Sequence, residues 1–340
     1  MLAFRVSSFG SVIQSDFLRE IDYTEVSQLR TTMLHKSNSI AVLAVSTGLF
    51  FIALSLLLPG FAHGAGPWIL LASVILIGIP HGAIDHIMAE KVYGLDSTWK
   101  GTAQFYGGYL GLMFVVGMLW LVNPLIGMLF FFAISIYHFG QADMEDFVNK
   151  GTAGIPWYLV RGSLILGLIL FSDTSVSYPI MAQALAMEPI VLADALPAGP
   201  GTMVVLSLLY ALLLATAALT GRVVNWKRLL ADSVLILVLF LTAGPLIGFA
   251  VYFALWHSAG HIVEMQQYLR KKRRPMSLKS FYKSAAPFTF ISLFGLAVLA
   301  GINHAFGLED QFIALMFILI SVLTLPHMVI VDRMYAQMRG

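Results

Sequence analysis

The stretch Leu246–Gln266, LIGFAVYFALWHSAGHIVEMQ, carries no charged residue before Glu264. At about 1.5 Å per residue it is long enough to cross the hydrocarbon of a bilayer as a helix. It also holds two histidines near its end, His257 and His261. Imidazoles are costly in hydrocarbon unless they bind a metal or hydrogen-bond one another. Their i,i+4 spacing puts both on one helical face, where they can bind a single ion. Ser258, Ala259 and Gly260 fill the gap, so the glutamate of a zinc-peptidase HExxH pattern is missing. Residues that small let a neighbouring helix approach closely.

The rest of the chain reads the same way. Of its 340 residues 59% are hydrophobic and 11% charged, against about a quarter charged in a soluble protein. The expected fold is an all-α integral membrane protein, a polytopic bundle in the lipid bilayer. Apolar runs mark about ten transmembrane helices: 39–61, 67–88, 105–122, 124–142, 155–171, 203–220, 229–244, 246–266, 285–301 and 312–333. The segment 178–200 is apolar at first but is interrupted by Glu188, Asp194, Pro189, Pro197 and Pro200; it reads as a re-entrant or interfacial piece, or as a poorly marked eleventh span. Residues 1–38 form a polar, cytosolic N-terminal extension without a signal-peptide pattern, and Met33 is an alternative start. Residues 39–340 form a single transmembrane catalytic domain.

Charge orients the bundle. With ten spans and both termini cytoplasmic, 19 of the 20 Lys and Arg residues fall on the cytoplasmic side, including the run Arg270 to Arg274, and only Arg161 lies inside a span. An eleventh full span would move two basic loops to the other face. The net charge of +2 gives no reason to expect a nucleic-acid partner, and the lack of cysteine excludes disulfides, thiolate ligands and cysteine nucleophiles.

Three more histidine motifs end apolar spans: Gly-Ile-Pro-His81-Gly-Ala-Ile-Asp85-His86, Tyr137-His138-Phe139-Gly140-Gln141-Ala142-Asp143 and Leu325-Pro326-His327. In this topology the spans carrying His81, His138, His257 and His327 all run inward. The four histidines then lie about 17–23 Å from the outer surface, in the cytoplasmic half of the bilayer. His81, His138, His257 and His261 together are the candidate metal ligands. His327 stands as either a fifth ligand or a base behind the ligands, and His86 as either a neighbour of the site or a surface residue. Asp85, Asp143 and Asp332 are candidate acceptors for the second N–H of a ligand imidazole. His35, His63 and His304 fall in or near loops and are read as ordinary polar residues. Aromatic residues beside the ligands (Tyr137, Phe139, Tyr252, Phe253, Trp256) offer either ordinary packing or a slot for a flat conjugated chain. The run Phe130 to Phe132 reads as lipid-facing. An all-imidazole donor set suits iron, copper, zinc or nickel; apolar surroundings and open coordination positions favour a redox iron working with dioxygen on a lipid-soluble substrate.

In combination, PHGAIDH, YHFGQAD, WHSAGH and the late LPH resemble the Brp/Blh family of bacterial and archaeal β-carotene 15,15′-dioxygenases, over about residues 75–335. The resemblance implies a multi-pass protein of the inner (plasma) membrane that uses non-haem Fe(2+) and O2 to cleave the central double bond of β-carotene into two all-trans-retinal. Its partners would be β-carotene, O2 and, downstream, a retinal acceptor such as a rhodopsin. It also implies that His81, His138, His257 and His261 are the iron ligands. The other classes weighed are a haem-binding membrane protein, since paired histidines can ligate haem axially, and a histidine-lined transporter. The chain has no internal repeat to support the transporter. A retinal-binding rhodopsin is excluded because no lysine lies within a span to form a Schiff base, and a di-iron desaturase because HxxHH is absent.

Overall fold

A chain this apolar must satisfy its backbone polar groups internally, and helices do so within each segment. The computed structural model describes residues 39–58, 60–95, 98–149, 152–197, 199–305 and 312–339, and these are helical throughout apart from turns and one isolated bridge, Val148 to Val223. The expected extension 1–38, with Met33, lies outside the described residues. The helices are α1 (Ser39–Leu57), α2 (Phe61–Ser73), α3 (Ile79–Gly82), α4 (Asp85–Tyr93), α5 (Trp99–Val122), α6 (Pro124–Met144), α7 (Ile155–Phe171), α8 (Thr174–Ala184), α9 (Pro189–Ala195), α10 (Gly199–Leu219), α11 (Trp226–Val251), α12 (Ala259–Lys271), α13 (Leu278–Ala305) and α14 (Phe312–Arg339).

Among the described residues, eight helical stretches are long and apolar enough to cross a membrane, or nine if the bent pair α7 and α8 counts as one span. One of the eight is a 46-residue run from Trp226 to Lys271. Gly244 interrupts it with φ 75°, a left-handed conformation that glycine adopts without strain, and Pro245 follows. A side chain at Gly48 of α1 would touch both Leu235 and Trp256. A straight helix would hold those two residues about 30 Å apart, so the run folds back at Gly244 as a helical hairpin. Counting its arms separately gives the ten spans expected from hydropathy. The segment 178–200 adds no further span: α8 leaves α7 at 96°, and α8 and α9 have only 11 and 7 residues.

Helices α6 and α7 meet backbone to backbone. A Cβ at Gly140 would overlap the Tyr158 carbonyl, and one at Gly162 would overlap that of Ile136. Only glycine allows this approach, which fixes α6 beside α7 two residues from His138. Gly140→Ala and Gly162→Ala are each expected to destabilise the protein by about 1–3 kcal/mol or more through overpacking, read as a lowered thermal midpoint in detergent. An alanine at Gly108, which faces open space, serves as the control.

Two segments are wound as π turns, Val74–Gly78 before α3 and Tyr252–Ser258 before α12. The amides of Ile79 and Ala259 bond to carbonyls five residues back, Val74 and Ala254, rather than four. Both turns sit at histidine motifs: the first leads into His81 and the second contains His257.

Candidate metal centre

The side chains of His81, His138, His257, His261 and His327 are all buried, none more than 6% exposed. They come from the α3 turn, α6, the second π turn, α12 and α14, and they meet in one cluster. His81, His257, His138 and His327 follow one another around a ring, with centroids 5.4, 4.9, 5.3 and 4.8 Å apart in that order. Among the described residues no such approach joins either diagonal. His261 lies 4.6 Å from His257, 5.2 Å from His138, 5.8 Å from His327 and 6.0 Å from His81. The arrangement is a four-membered ring of imidazoles with the fifth capping one face. The ligating atoms are closest in His138, His257 and His261, all within 4.8 Å of one another.

The hydrogen bonds leave this cluster with bare nitrogen. His81 Nδ1 is bonded to the Gly78 carbonyl, which can only accept, so its Nε2 is the unprotonated atom. His327 Nδ1 lies 2.9 and 3.1 Å from the two Asp85 carboxylate oxygens. The Nε2 atoms of His81 and His327, Nδ1 of His138 and His257, and both nitrogens of His261 are buried without a hydrogen-bond partner among the described residues. Orphaned buried polar atoms are rare because each costs about 1–3 kcal/mol. So many on five converging imidazoles, with no thiolate or carboxylate among the donors, fit a borderline transition metal.

The open face of the cluster meets a cavity of about 320 Å³. Its walls include His81, His138, His257 and His327, but not the capping His261. The remaining lining is mainly apolar, with Phe105 and Tyr106 of α5, Phe288 and Ile291 of α13, and Leu323 of α14, and it also includes Asp85 and His86. A second apolar cavity of about 80 Å³ is bounded by Phe131, Phe132, Phe249 and Phe317, and Phe139 lines both cavities. Phe131 and Phe132, read from sequence as lipid-facing, are therefore half-buried cavity walls.

The neighbouring candidates divide. Asp85 is buried and accepts from His327 and, at 3.1 Å, from Tyr109 Oη. His86 lies outside the ring, half-buried against Phe288 with centroids 4.7 Å apart. Asp143, expected as an acceptor for an imidazole, is instead held by Arg161 Nε at 2.8 Å and Tyr252 Oη at 3.2 Å. Asp332 accepts from Tyr137 and Gln141 rather than from a histidine. Arg161 also donates to Ser233 and Tyr210, completing a buried polar network. The sequence signal for that network is a lone arginine inside an apolar span; its partners are 18 to 72 residues away.

The family model for β-carotene 15,15′-dioxygenase matches residues 72–335. A probable β-carotene 15,15′-dioxygenase Blh of Halobacterium salinarum is 26% identical over 291 residues, covering 78% of this chain and 83% of the relative. A β-carotene 15,15′-dioxygenase from uncultured marine bacterium 66A03 is 27% identical over 280 residues, covering 78% of this chain and 92% of the relative. No solved structure matches. The matched region takes in all five clustered histidines, Asp85 and Tyr109, and the chain belongs to the β-carotene 15,15′-dioxygenase family.

Proposed function

We propose that this protein is a membrane-embedded non-haem iron dioxygenase that cleaves the 15,15′ double bond of β-carotene with O2, giving two all-trans-retinal, in the inner (plasma) membrane of its cell. The observation that carries this reading is a cluster of five buried imidazoles with unpartnered nitrogens, four of which wall a mainly apolar cavity. His81, His138, His257 and His261 would hold the metal. A bound Fe(II) supplies dioxygen activation, so that the central C=C bond is broken and each carbon leaves with one oxygen atom as an aldehyde. Both atoms of O2 are then accounted for without an added reductant.

The protein's own work is positioning and exclusion of water. A hydrocarbon substrate offers nothing to hydrogen-bond, so its grip must come from shape and apolar area. A symmetric polyene cut at its middle needs room for an arm on each side of the cut. The larger cavity accepts one arm at the face formed by His81, His138, His257 and His327. Phe139 lines both this cavity and the smaller apolar one, which at about 80 Å³ is too small for a whole second arm. The close ring contacts among all five imidazoles leave no gap for a porphyrin, which argues against the haem reading.

The test uses cells that accumulate β-carotene. Expression of the full chain should bleach the orange colour and yield retinal as the product of the lost carotene, and protein purified from the membrane should contain iron. Colour loss with longer or shorter aldehydes would overturn central cleavage, and unchanged carotene beside well-expressed protein would overturn the whole assignment.

A further inference from the structure

His327 makes the cluster a closed ring. Without it, His81 and His138 would flank an open corner; with it, the four side-wall imidazoles lie 4.8–5.4 Å from their ring neighbours. Its Nε2 is buried and partnerless, as is that of His81. Its other nitrogen is fixed. A carboxylate only accepts, so Nδ1 carries the proton it gives to Asp85, and the lone pair is confined to Nε2. Asp85 is itself held by Tyr109 Oη, which reaches across from α5. A carboxylate bonded to the remote nitrogen of an imidazole is the usual support of a metal-ligating histidine, and Asp85 serves no other described histidine. The cavity touches His327 on the same footing as His81, His138 and His257.

We infer that His327 is a fifth imidazole ligand of the same metal ion, with Asp85 and Tyr109 as positioning residues that fix its tautomer and direction; this rests on the metal-site reading above. Five imidazoles, with His261 on the side away from the cavity, would hold the ion and leave the cavity face free for the substrate.

The experiment is Co(II) titration of the metal-free full-length protein in detergent micelles, reading affinity and the visible ligand-field absorption, with activity left aside. Wild type should bind one Co(II). His327→Ala should weaken binding at least about 10–100-fold and change the absorption envelope, since a ligand is lost. Asp85→Asn should weaken it about 10–100-fold, with Tyr109→Phe weaker than wild type but tighter than Asp85→Asn. Added imidazole should restore the wild-type spectrum to His327→Gly. His327→Ala that binds Co(II) with wild-type affinity and spectrum would overturn the inference. If the His327 variants do not accumulate, Asp85→Asn decides: unchanged affinity and spectrum overturn it equally. His257→Gln separates the two levels of the argument. If it too leaves Co(II) binding unchanged, the metal site itself is wrong; if it abolishes binding while His327→Ala does not, only the fifth ligand is wrong.

Discussion

His257→Gln is expected to reduce retinal formation to less than about a hundredth of wild type and to strip the purified protein of iron. Loss of a residue that merely supports a ligand costs about 10–100-fold in affinity or activity, and removal of the ligand itself should reach at least the upper end. His257 is 1% exposed, adjoins His81, His138 and His261, and stacks on Phe253 with centroids 5.5 Å apart and planes 13° apart. Glutamine keeps most of the volume and avoids the cavity penalty of a large-to-small change. A thermal midpoint near that of the metal-free wild type would show that folding survives. Iron content by elemental analysis and retinal by chromatography give the two readouts, and wild-type iron content in this variant would remove His257 from the ligand set.

Arg161→Ala is expected to be the most destabilising single change outside the imidazole cluster. Both charged side chains of the Arg161–Asp143 pair are almost fully enclosed, at 2% and 6% exposure. Removing one partner strands a buried charge, at a cost of about 3–5 kcal/mol, whereas replacing both with apolar residues is often neutral. Arg161→Met should therefore lower the unfolding midpoint sharply, and adding Asp143→Leu should recover most of it. A double variant as unstable as the single would show that the loss comes from Ser233 and Tyr210 rather than from the unpaired carboxylate. The partly exposed pair Arg228–Asp232, 3.9 Å apart with the arginine half exposed, should give within about 1 kcal/mol of no effect when broken.

Much of the site could be read along the chain because a membrane imposes strong rules. Long uncharged runs ending in histidine show both the helices and the shared depth of His81, His138, His257 and His327, and the pair His257 and His261 follows from helical spacing. The hairpin at Gly244 is visible because Gly-Pro punctuates an apolar run far too long for one crossing. Pairings between helices are not written in any local pattern. Tyr109 and His327 reach Asp85 from positions 24 and 242 residues away, so nothing near Asp85 marks it as their common acceptor. The same holds for Asp143, whose proximity to His138 in sequence suggested an imidazole partner. Five residues on a helix leave two side chains pointing in different directions, and Arg161 on the neighbouring helix takes the carboxylate. Phe131 and Phe132 misled because hydropathy cannot tell lipid from an apolar cavity.

The π turn at Tyr252–Ser258 means that the fit between the histidine pair and the cavity walls is stored partly as a count of backbone residues. Deleting a single residue between Val251 and His257 would let the turn relax to ordinary winding and rotate the upstream hairpin arm against the histidine pair by about 100°. Phe249, which lines the smaller cavity from that arm, would swing away from the ring while His257 and His261 kept their mutual spacing. The histidine cluster and the cavity shape can thus be inherited separately: a relative that preserves every histidine but differs by one residue here would set the same imidazoles against a differently shaped space.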